Sequence, residues 1–427
     1  SGCQRMSLSL GIDVGTSGVR TAVLTTQGDV MPMARADHVP QNPDHIDAEG
    51  WWRAVQTCIL RQMEIVRDEG FSPFDITGIA VDGTSGTMVL TDANLRPVTR
   101  GLMYNSSGFD AEAAIIARFA PDPHITRGSA SAFARAMRLA AEDIDHAACH
   151  LLHQADFIAA KLIGQGGFSD HNNALKTGFD PETETWPDWA ETCGFNPALL
   201  PDVGPVGGQL APINPQVAAE LGLSNSVVIH AGTTDSIAAF LACAPLKEGA
   251  AVTSLGTTLA VKLLSPKRID DPEIGLYSHR LGDVWLVGGA SNTGGGVLLD
   301  HFAPDQIKAL SRLIDPTKPT GLAYYPLSKP GERFPVKDSD FLGCLSPRPK
   351  DDVIFLQAML EGIATVEARC YREIEARGGG RPQQLFTAGG GSQNPVWTIL
   401  RESELGMDIN AATQSEAAIG SAKLVQI

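Results

Sequence analysis

The sequence predicts an α/β protein built from two similar halves. Two stretches, "GIDVGTSGVRTAVL" from Gly11 and "VTSLGTTLAVKLL" from Val252, follow one pattern of strand, glycine and hydroxyl turn, and strand. The length of 427 residues also favours two domains, because a single hydrophobic core rarely organises so long a chain. We therefore expect duplicated domains with a cleft between them.

The first half opens with three apolar or alternating runs, which predict consecutive antiparallel strands joined by the turns "GTSG" and "TTQGD". A helix is expected from about Ala48 to Arg67, and a short buried strand follows it. The segment "HQADFIAAKLIG" predicts a helix that stops at Gly164. The four strands are expected at residues 8–14, 19–25, 30–37 and 76–81.

The second half repeats this order of strands followed by a long helix. Residues 226–232, "AAVTSLGTTLAVKLL" and "VWLVGGA" are predicted to form strands interrupted by glycine and threonine turns. A helix is expected over Asp352–Arg377, because three glycines follow it. "QLFTAGGG" predicts one more strand, and the tail from Ser415 predicts a helix.

Composition excludes several classes of partner. The formal net charge is −16, so nucleic acid and anionic membrane surfaces are poor partners, and bound phosphates would need metal ions and backbone N–H groups. No apolar run is long enough to span a membrane, and no secretory signal pattern opens the sequence. The seven cysteines are scattered without a CxxC pair, which argues against disulfides and zinc and leads us to expect a cytoplasmic protein.

The two glycine turns are candidate phosphate-binding elements. The sequence contains neither a GxxxxGK[ST] loop nor a GxGxxG motif that opens a helix after a strand. Gly15 to Gly18 can instead present backbone N–H groups as an anion-binding nest, with hydroxyl donors from Thr16 and Ser17. The turn Gly256-Thr257-Thr258 repeats this design. An ordinary hairpin connection is the alternative for each turn taken singly.

Two aspartates follow buried strands and are candidate catalytic groups. Asp13 ends the first predicted strand, and Asp235 follows the strand 227–231 and a Gly-Thr-Thr turn. One carboxylate would hold Mg²⁺ and the other would accept a hydroxyl proton, which is the minimum for phosphoryl transfer. Asp235 also precedes an apolar helix, so an N-cap role without catalysis is the alternative.

Two further loops are candidates for ligand contact. Phe386–Trp397 combines three glycines, on which a flat ring can lie, with the amide of Asn394 and the indole of Trp397. Asp82–Thr87 ends a strand of the first half with hydroxyl groups that can hydrogen-bond a polyol. A core tryptophan in the first loop and an ordinary polar turn in the second are the alternatives.

Six motifs, in order along the chain, resemble those of the FGGY carbohydrate kinases, which belong to the superfamily of actin, sugar kinases and heat-shock ATPases. The resemblance covers nearly the whole chain. "DVGTSGVR" resembles the first phosphate motif, "AGTTD" the catalytic-aspartate motif, "SLGTT" the second phosphate turn and "AGGGSQNPVW" the adenosine motif. "HQADFIAAKLIG" with "SDHNNALKTGFD" resembles the central segment, and "LEGIA" resembles the late helix.

The resemblance implies two ribonuclease-H-like domains with an interdomain cleft. It implies a sugar-binding domain at residues 7–228, an ATP-binding domain at 229–410 and a C-terminal helix at 411–427 that returns to the first domain. Asp235 would be the general base, and Asp13 would be a second catalytic residue and the Mg²⁺ ligand. The resemblance implies that Gly15, Thr16, Ser17, Gly18, Gly256, Thr257, Gly390, Gly391, Asn394 and Trp397 bind ATP, and that Ser85, Thr84 and Asp235 bind the sugar.

The same resemblance implies an ATP- and Mg²⁺-dependent kinase that phosphorylates the terminal hydroxyl of a ketopentose. The chain is similar to compact ribulokinase-type pentulose kinases, so D-ribulose is the first expectation and D-xylulose the second. "MYNSSGFD" departs from the Trp and Asp-x-Arg pattern of many members, which disfavours glycerol-kinase-type contacts. A sugar sensor without catalysis and an actin- or chaperone-like ATPase are the alternatives. We expect a monomer or homodimer whose small-molecule partners are the sugar and ATP.

Overall fold

The computed structural model describes residues 6–42 and 45–427, and the chain divides into two compact units. Unit 1 comprises the described residues up to Ala242 together with Ser415–Ile427, and unit 2 comprises Cys243–Gln414. Each unit has its own hydrophobic core around its own sheet. The domain limits implied by the resemblance, after residues 228 and 410, stay a prediction.

Strands and helices alternate along both units. The strands are β1 (Leu8–Val14), β2 (Gly18–Leu24), β3 (Ala34–Asp37), β4 (Ile76–Gly83), β5 (Met88–Thr91), β6 (His150–His153), β7 (Phe168–Asp170), β8 (Asp202–Gly204), β9 (Gln209–Pro212), β10 (Val228–His230), β11 (Thr233–Thr234), β12 (Ala250–Leu255), β13 (Leu259–Ser265), β14 (Tyr277–Leu281), β15 (Val284–Ala290), β16 (Gln384–Ala388) and β17 (Ile409–Ala411). The helices are α1 (Ala48–Asp68), α2 (Asp110–Phe119), α3 (Ala132–Glu142), α4 (Gln154–Ile163), α5 (His171–Leu175), α6 (Trp189–Thr192), α7 (Pro215–Leu221), α8 (Asp235–Cys243), α9 (Gly295–Leu299), α10 (Pro304–Ser311), α11 (Asp352–Ala376), α12 (Pro395–Leu405) and α13 (Ala417–Leu424). Short 3₁₀ helices lie at Pro73–Asp75, Pro197–Leu199 and Gly390–Gln393.

The main sheet of unit 1 is mixed. β1 lies between β2, which runs antiparallel to it, and β4, which runs parallel, and β3 pairs with the outer side of β2. Beyond β4 the sheet continues with β10 and β9, while the short β11 pairs with the end of β4. Trp51, Val55 and Ile59 recur on one face of α1 and are buried, because α1 packs against β2 and β3.

The sheet of unit 2 repeats this order. β12 lies between the antiparallel β13 and the parallel β16, β15 pairs with β13, and β17 continues the sheet beyond β16. β14 adds a further strand beside β15. The shared order confirms the prediction that two similar α/β halves follow one another along the chain.

Most predicted elements are confirmed, and two differences have local causes. β1 begins and ends as predicted, and α4 ends at Gly164, whose left-handed φ of 84° stops the helix. The third strand begins at Ala34, because Pro32 cannot donate to the sheet and Val30 makes only an isolated bridge. The strand predicted at 226–232 is split, because the backbone at Gly232 lies against the Val81 carbonyl.

Two further expectations concern disulfide bonds and membrane-spanning segments. Cys3 lies outside the described residues, and the six described cysteines carry free thiols. Within residues 6–42 and 45–427, no helix combines the length and the apolar character that crossing a membrane requires.

The C-terminal helix α13 packs on unit 1. Ala418, Ile419 and Ala422 form a buried apolar cluster with Ala22 and Leu24 of β2. These small residues allow a close approach of α13 to the sheet. The approach places the next part of the helix beside the end of β4, where the candidate site lies.

Candidate active site

Three carboxyl groups of unit 1 gather where its parallel strands end. In the register of the sheet, Asp13 on β1 lies beside Asp82 on β4, and Asp82 lies beside Thr233 on β11. Asp235 follows β11 directly and is the first residue of α8. Carboxyl ends of parallel strands are a common place for ligand sites, because loops and helix starts converge there. Strand register therefore places Asp13 beside Asp82, and the charge of Asp235 also acts on Asp82.

Asp82 and Asp13 form a buried acid pair. Burial raises the pKa of both groups, and the negative charges of Asp13 and Asp235 raise the pKa of Asp82 further. The two carboxyl groups lie side by side in the sheet, so the charge on one opposes ionisation of the other. The pKa of Asp82 is raised further than that of Asp13, because the Asp82 side chain is fully buried while that of Asp13 is partly exposed.

Only one of the two carboxyl oxygens of Asp82 accepts a hydrogen bond. Asp82 Oδ2 accepts a hydrogen bond of 2.6 Å from Ser421 Oγ on α13. Asp82 Oδ1 is buried and receives no hydrogen bond from any described donor. Asp235, the first residue of α8, accepts the N–H of the next residue, Ser236, at Oδ1 over 2.7 Å. The acid cluster is thus tied to α8 and α13.

The turn from Gly15 to Gly18 is a tight hairpin connection at the end of β1. The N–H of Gly15 donates to the carbonyl of Gly18 over 2.9 Å, and Thr16 and Ser17 are exposed at the tip. A Cβ at Gly18 would collide with the backbone of Ala36 on the neighbouring strand, so only glycine fits. The turn therefore presents the hydroxyls of Thr16 and Ser17 to solvent beside Asp13, and their contact with phosphate stays a prediction.

The turn after β4 is held by α4. Gln154 Oε1 accepts hydrogen bonds of 2.9 Å from both the N–H and the hydroxyl of Thr84, and the hydroxyl of Thr84 also lies 2.5 Å from that of Thr87. Thr84 is therefore occupied in shaping the turn. Ser85 is different, because its buried Oγ has no partner among the described residues and is available to a ligand.

A single arginine fixes the loops around this turn. Arg135 is 3% exposed, and it donates to the carbonyl of Gly86 over 3.1 Å, to Ser106 Oγ over 3.0 Å and to the carbonyl of Ala130 over 2.7 Å. It also donates to the carbonyl of Tyr104. Burial lowers the pKa of Arg135 to about 10, so it stays charged at neutral pH. One planar cation therefore sets the relative positions of three loops.

Gly86 is required at this position for two reasons. Its φ of +85° lies in the left-handed region that glycine adopts without strain. A Cβ there would also lie 3.0 Å from Arg135 Nη1 and disturb the guanidinium. The segment "MYNSSG", which lacks the Asp-x-Arg pattern, contributes Tyr104 and Ser106 to the same arginine.

Three glycine-rich segments of unit 2 lie against one another. The turn at residues 256–258 joins β12 to β13, and the carbonyl of Gly256 accepts the N–H of Gly295 over 2.8 Å. On the other side, a Cβ at Gly389 would lie 2.6 Å from the carbonyl oxygen of Leu255. A Cβ at Gly256 or Gly390 would meet no atom within 4 Å, so the backbone faces open space there. This space suits a ligand held by backbone groups.

The two side chains expected at the adenosine support the packing of unit 2. Trp397 is 2% exposed, its Nε1 donates to the carbonyl of Leu360 over 3.2 Å, and its ring lies under Gly391. Asn394 donates to Ser311 Oγ over 2.9 Å, and its Oδ1 accepts the N–H of Trp397 over 3.3 Å. Contact of either side chain with adenosine stays a prediction, whereas in the same segment Gly390 is exposed and Gly391 is half-buried.

The acid pair fits a magnesium ion. No group of three His, Cys, Asp or Glu side chains at metal-binding spacing occurs among the described residues. Mg²⁺ does not need one, because it is usually held by one or two carboxylates together with waters and substrate phosphates. A cation beside Asp13 would neutralise the charge that now opposes ionisation of Asp82, whose Oδ1 lacks a partner.

Comparison with known proteins agrees with this geometry. Models of the FGGY family of carbohydrate kinases match the chain with their N-terminal domain over residues 8–121 and with their C-terminal domain over residues 251–426. The chain belongs to the FGGY family of carbohydrate kinases. It is therefore an enzyme that phosphorylates a carbohydrate, and kinases of this family use ATP.

Individual relatives are distant in sequence but similar over most of their length. The xylulose kinase of Escherichia coli strain K12 is 24% identical, with 98% of this chain and 89% of that protein covered. The gluconokinase of Bacillus licheniformis is 23% identical, with 92% and 81% covered. A solved structure of a xyloylose kinase from Brucella ovis superimposes with a TM-score of 0.83 at 22% identity, covering 98% of this chain and 90% of the other. This likeness confirms the predicted actin-like fold of two α/β domains.

The sequence argument misses three residues of the kinase that the structure brings to the site. Asp82 follows an apolar strand just as Asp13 does, so the signal that found Asp13 could have found it. Gln154 lies in the motif "HQADFIAAKLIG", but nothing within that motif singles it out, and Arg135 carries no comparable signal, because one polar residue in a helix has no distinguishing spacing. Their positions are set by contacts with the turn after β4, which is distant in sequence.

Proposed function

We propose that the kinase transfers the γ-phosphoryl group of ATP to the terminal hydroxyl of a ketopentose, with D-ribulose as the first candidate and D-xylulose as the second. One observation carries the proposal. The carboxyl end of the unit 1 sheet combines three acids with a buried, unpartnered hydroxyl at Ser85. This arrangement provides a proton acceptor and a polar group that can hydrogen-bond a hydroxyl-rich substrate.

In the proposed reaction, Asp235 is the general base. The terminal hydroxyl oxygen of the sugar attacks the γ-phosphorus in line, while the bond from that phosphorus to the bridging oxygen of ADP breaks. The hydroxyl proton passes to the carboxylate of Asp235, and ADP leaves with the electron pair of the broken bond. Asp235 suits this role because one of its oxygens is fixed by the N–H of Ser236, which orients the carboxylate.

Asp13 and the glycine turns would hold the phosphates and the metal. When bound, Mg²⁺ supplies positive charge that offsets the charge developing on the phosphate oxygens. Asp13 would be its protein ligand, and Asp82 lies beside Asp13 in the sheet. In unit 2 the open backbone at Gly256 and Gly390 would hold the nucleotide.

The choice of a ketopentose is supported by the names of relatives, several of which are xylulose kinases. Gluconokinases among the relatives make D-gluconate the second candidate class. The retained acids Asp13 and Asp235 do not favour a sugar sensor, which needs neither a proton acceptor nor a magnesium ligand.

A substrate panel and one variant test the proposal. Release of ADP is measured with ATP, Mg²⁺ and D-ribulose, D-xylulose, D-gluconate, glycerol or no sugar, and we expect release with a ketopentose. Asp235→Asn should lower kcat by roughly 10²–10⁴ while ATP binding is retained, because asparagine caps a helix as well as aspartate but accepts no proton. Asp47→Asn, at the N-cap of α1, is the matched control and should leave kcat unchanged.

Three results would contradict the proposal. ADP release that is independent of sugar would indicate an ATPase, and no release with any sugar would indicate a sensor. Near-wild-type kcat in Asp235→Asn would leave Asp235 as a helix cap only.

A further inference from the structure

Buried polar atoms without a partner concentrate at one place in unit 1. Ser85 Oγ, Gln154 Nε2 and Thr234 Oγ1 are all buried, and none has a hydrogen-bond partner among the described residues. They are neighbours, because Thr234 lies beside Gly83 in the sheet and Gln154 bonds to Thr84. Buried polar groups are usually hydrogen-bonded, so such a concentration indicates a ligand that supplies the missing partners.

Gln154 is the member of this group whose orientation is fixed. The N–H of Thr84 can only donate, so the amide atom of Gln154 that faces it must be the oxygen Oε1. The hydroxyl of Thr84 donates to the same oxygen over 2.9 Å. The nitrogen Nε2 must then point away from Thr84, and with the side chain 0% exposed it has two N–H donors and no acceptor.

The backbone brings this amide close to the turn after β4. A Cβ on Gly83 would lie 2.8 Å from the N–H nitrogen of Ala155 and 3.2 Å from Gln154 Cβ, so only glycine lets α4 approach so closely. The N–H of Gln154 also donates to the carbonyl of Thr87 over 2.9 Å, which fixes the first residue of α4. Two sides of the residue are therefore held by the turn, and its Nε2 donors have no acceptor among the described residues.

We propose that Gln154 contacts the substrate, and that its Nε2 donates a hydrogen bond to an oxygen of the sugar held beside Ser85 and Asp235. This inference rests on the proposed function, because it assigns a further residue to the same sugar site. A site that offers a buried donor accepts a substrate with an oxygen at that position and discriminates against one without it, since the donor would then stay unpaired. Gln154 is therefore a specificity-determining residue.

Two substitutions separate the two ends of the amide. Gln154→Glu keeps an oxygen acceptor for Thr84 and removes the N–H donors, and Gln154→Met removes both at nearly the same volume. The matched control is Gln62, which is also 0% exposed in unit 1. Its Oε1 accepts from the Thr21 hydroxyl and from the N–H of Ala34, and its Nε2 donates to the carbonyl of Pro32, so both its oxygen and its nitrogen are hydrogen-bonded within the fold.

The experiment measures kcat, KM for D-ribulose and D-xylulose, and the thermal midpoint of each variant. Both Gln154 variants should raise the KM for the sugar at least about tenfold and leave the KM for ATP unchanged. Gln62→Met should lower the thermal midpoint without changing the KM for the sugar. Analogues in which one sugar hydroxyl at a time is replaced by hydrogen complete the test. Wild type should discriminate against one of them, and Gln154→Glu should have lost that discrimination.

The outcomes distinguish the inference from the proposed function. If wild type phosphorylates a sugar and both Gln154 variants keep its KM and its pattern of analogue discrimination, the inference is overturned and the function stands. The same holds if the variants only lower the thermal midpoint, since Nε2 would then bind an ordered water. If wild type neither binds nor phosphorylates any sugar of the panel, the proposed function fails and the inference fails with it.

Discussion

Units 1 and 2 share a strand order, yet they treat the ends of corresponding strands in opposite ways. Two residues before the glycine turn, unit 1 has Asp13 beside Asp82, whereas unit 2 has Ser254 beside Ala388. The first pair is an acid pair with a buried oxygen that no donor reaches. The second pair carries no charge. The same strand order therefore carries different chemical groups in the two units, because the residue types at the strand ends differ.

In unit 2, a buried arginine and a buried glutamate bind each other and stabilise the fold. Arg401 donates to Glu367 through two bonds of 2.7 and 2.9 Å, and both side chains are at most 1% exposed. Arg401 also donates to Thr387 Oγ1 over 3.1 Å, beside the Thr253 backbone. At the corresponding edge of unit 1, Asp82 Oδ1, Ser85 Oγ, Gln154 Nε2 and Thr234 Oγ1 have no partner among the described residues, whereas at this ion pair of unit 2 only Arg401 Nη1 lacks one. The difference indicates that unit 1 keeps side chains for a ligand, whereas unit 2 keeps open backbone.

The largest expected effect comes from breaking the ion pair of unit 2. Arg401→Met leaves the carboxylate of Glu367 buried without a partner, which should lower the free energy of unfolding by about 3–5 kcal/mol. Urea unfolding followed by circular dichroism measures it. Arg381→Met removes an ion pair with Glu375 whose arginine is 79% exposed, and it should leave the unfolding midpoint unchanged. Equal changes in the free energy of unfolding of the two variants would show that the buried ion pair does not stabilise the fold.

The second expected effect is a pH dependence of the free energy of unfolding that arises in unit 1. Burial raises the pKa of Asp170 to about 7, and the charge of Asp156 adds to this. The pKa of an aspartate in the unfolded chain is about 4. Between that pH and about pH 7, folded Asp170 therefore holds a proton that the unfolded chain lacks. The free energy of unfolding should therefore fall by roughly 1.4 kcal/mol per pH unit over that interval and then level off.

Asp170→Asn tests this slope. Asparagine keeps the oxygen that accepts the N–H groups of Asn172 and Asn173, but it carries no titrating proton. Chemical unfolding at several pH values should show a smaller slope than in wild type. Asp92→Asn, at an exposed turn where one carboxyl oxygen also accepts two backbone N–H groups, is the control and should retain the wild-type slope. An unchanged slope in Asp170→Asn would place the pH dependence elsewhere.

The smallest expected effect tests whether unit 2 presents backbone to a ligand. Gly256→Ala adds a methyl group into open space, so stability should not change, while the KM for ATP should rise about tenfold if phosphates approach this backbone closely. Steady-state kinetics and a thermal melt measure both quantities. Gly204→Ala in unit 1 also meets no atom within 4 Å and should alter neither. An unchanged KM for ATP in Gly256→Ala would remove this turn from the nucleotide site.

Much of the fold and part of the site could be predicted from the sequence. The boundaries of β1 and the end of α4 follow from local patterns, an alternating run before a turn and a glycine after an apolar helix. Asp13, Asp235 and the glycine turns were predictable for the same reason, because each lies directly beside a recognisable strand end. Ser85 was predicted from a hydroxyl-rich turn, and its hydroxyl lacks a partner in the structure.

The partners of these residues could not be predicted. Whether a hydroxyl is free or occupied depends on distant segments: Gln154 occupies the hydroxyl of Thr84, and nothing described occupies that of Ser85. The indole of Trp397 has the composition of a pocket wall, yet packing against Leu360 and Gly391 makes it part of the core. Spacing along the chain carries no information about such contacts.

The sequence by itself determined the two α/β halves, their turns and the two aspartates, because hydrophobic periodicity, glycine and a charge after a buried run act over a few residues. Only the tertiary structure decided that Asp82 is buried beside Asp13 and bonded to Ser421, that Arg135 holds three loops and that Gln154 Nε2 has no partner among the described residues. These properties arise from burial and from hydrogen bonds between residues as much as 339 positions apart, as between Asp82 and Ser421, and only the packed sheet brings such residues together.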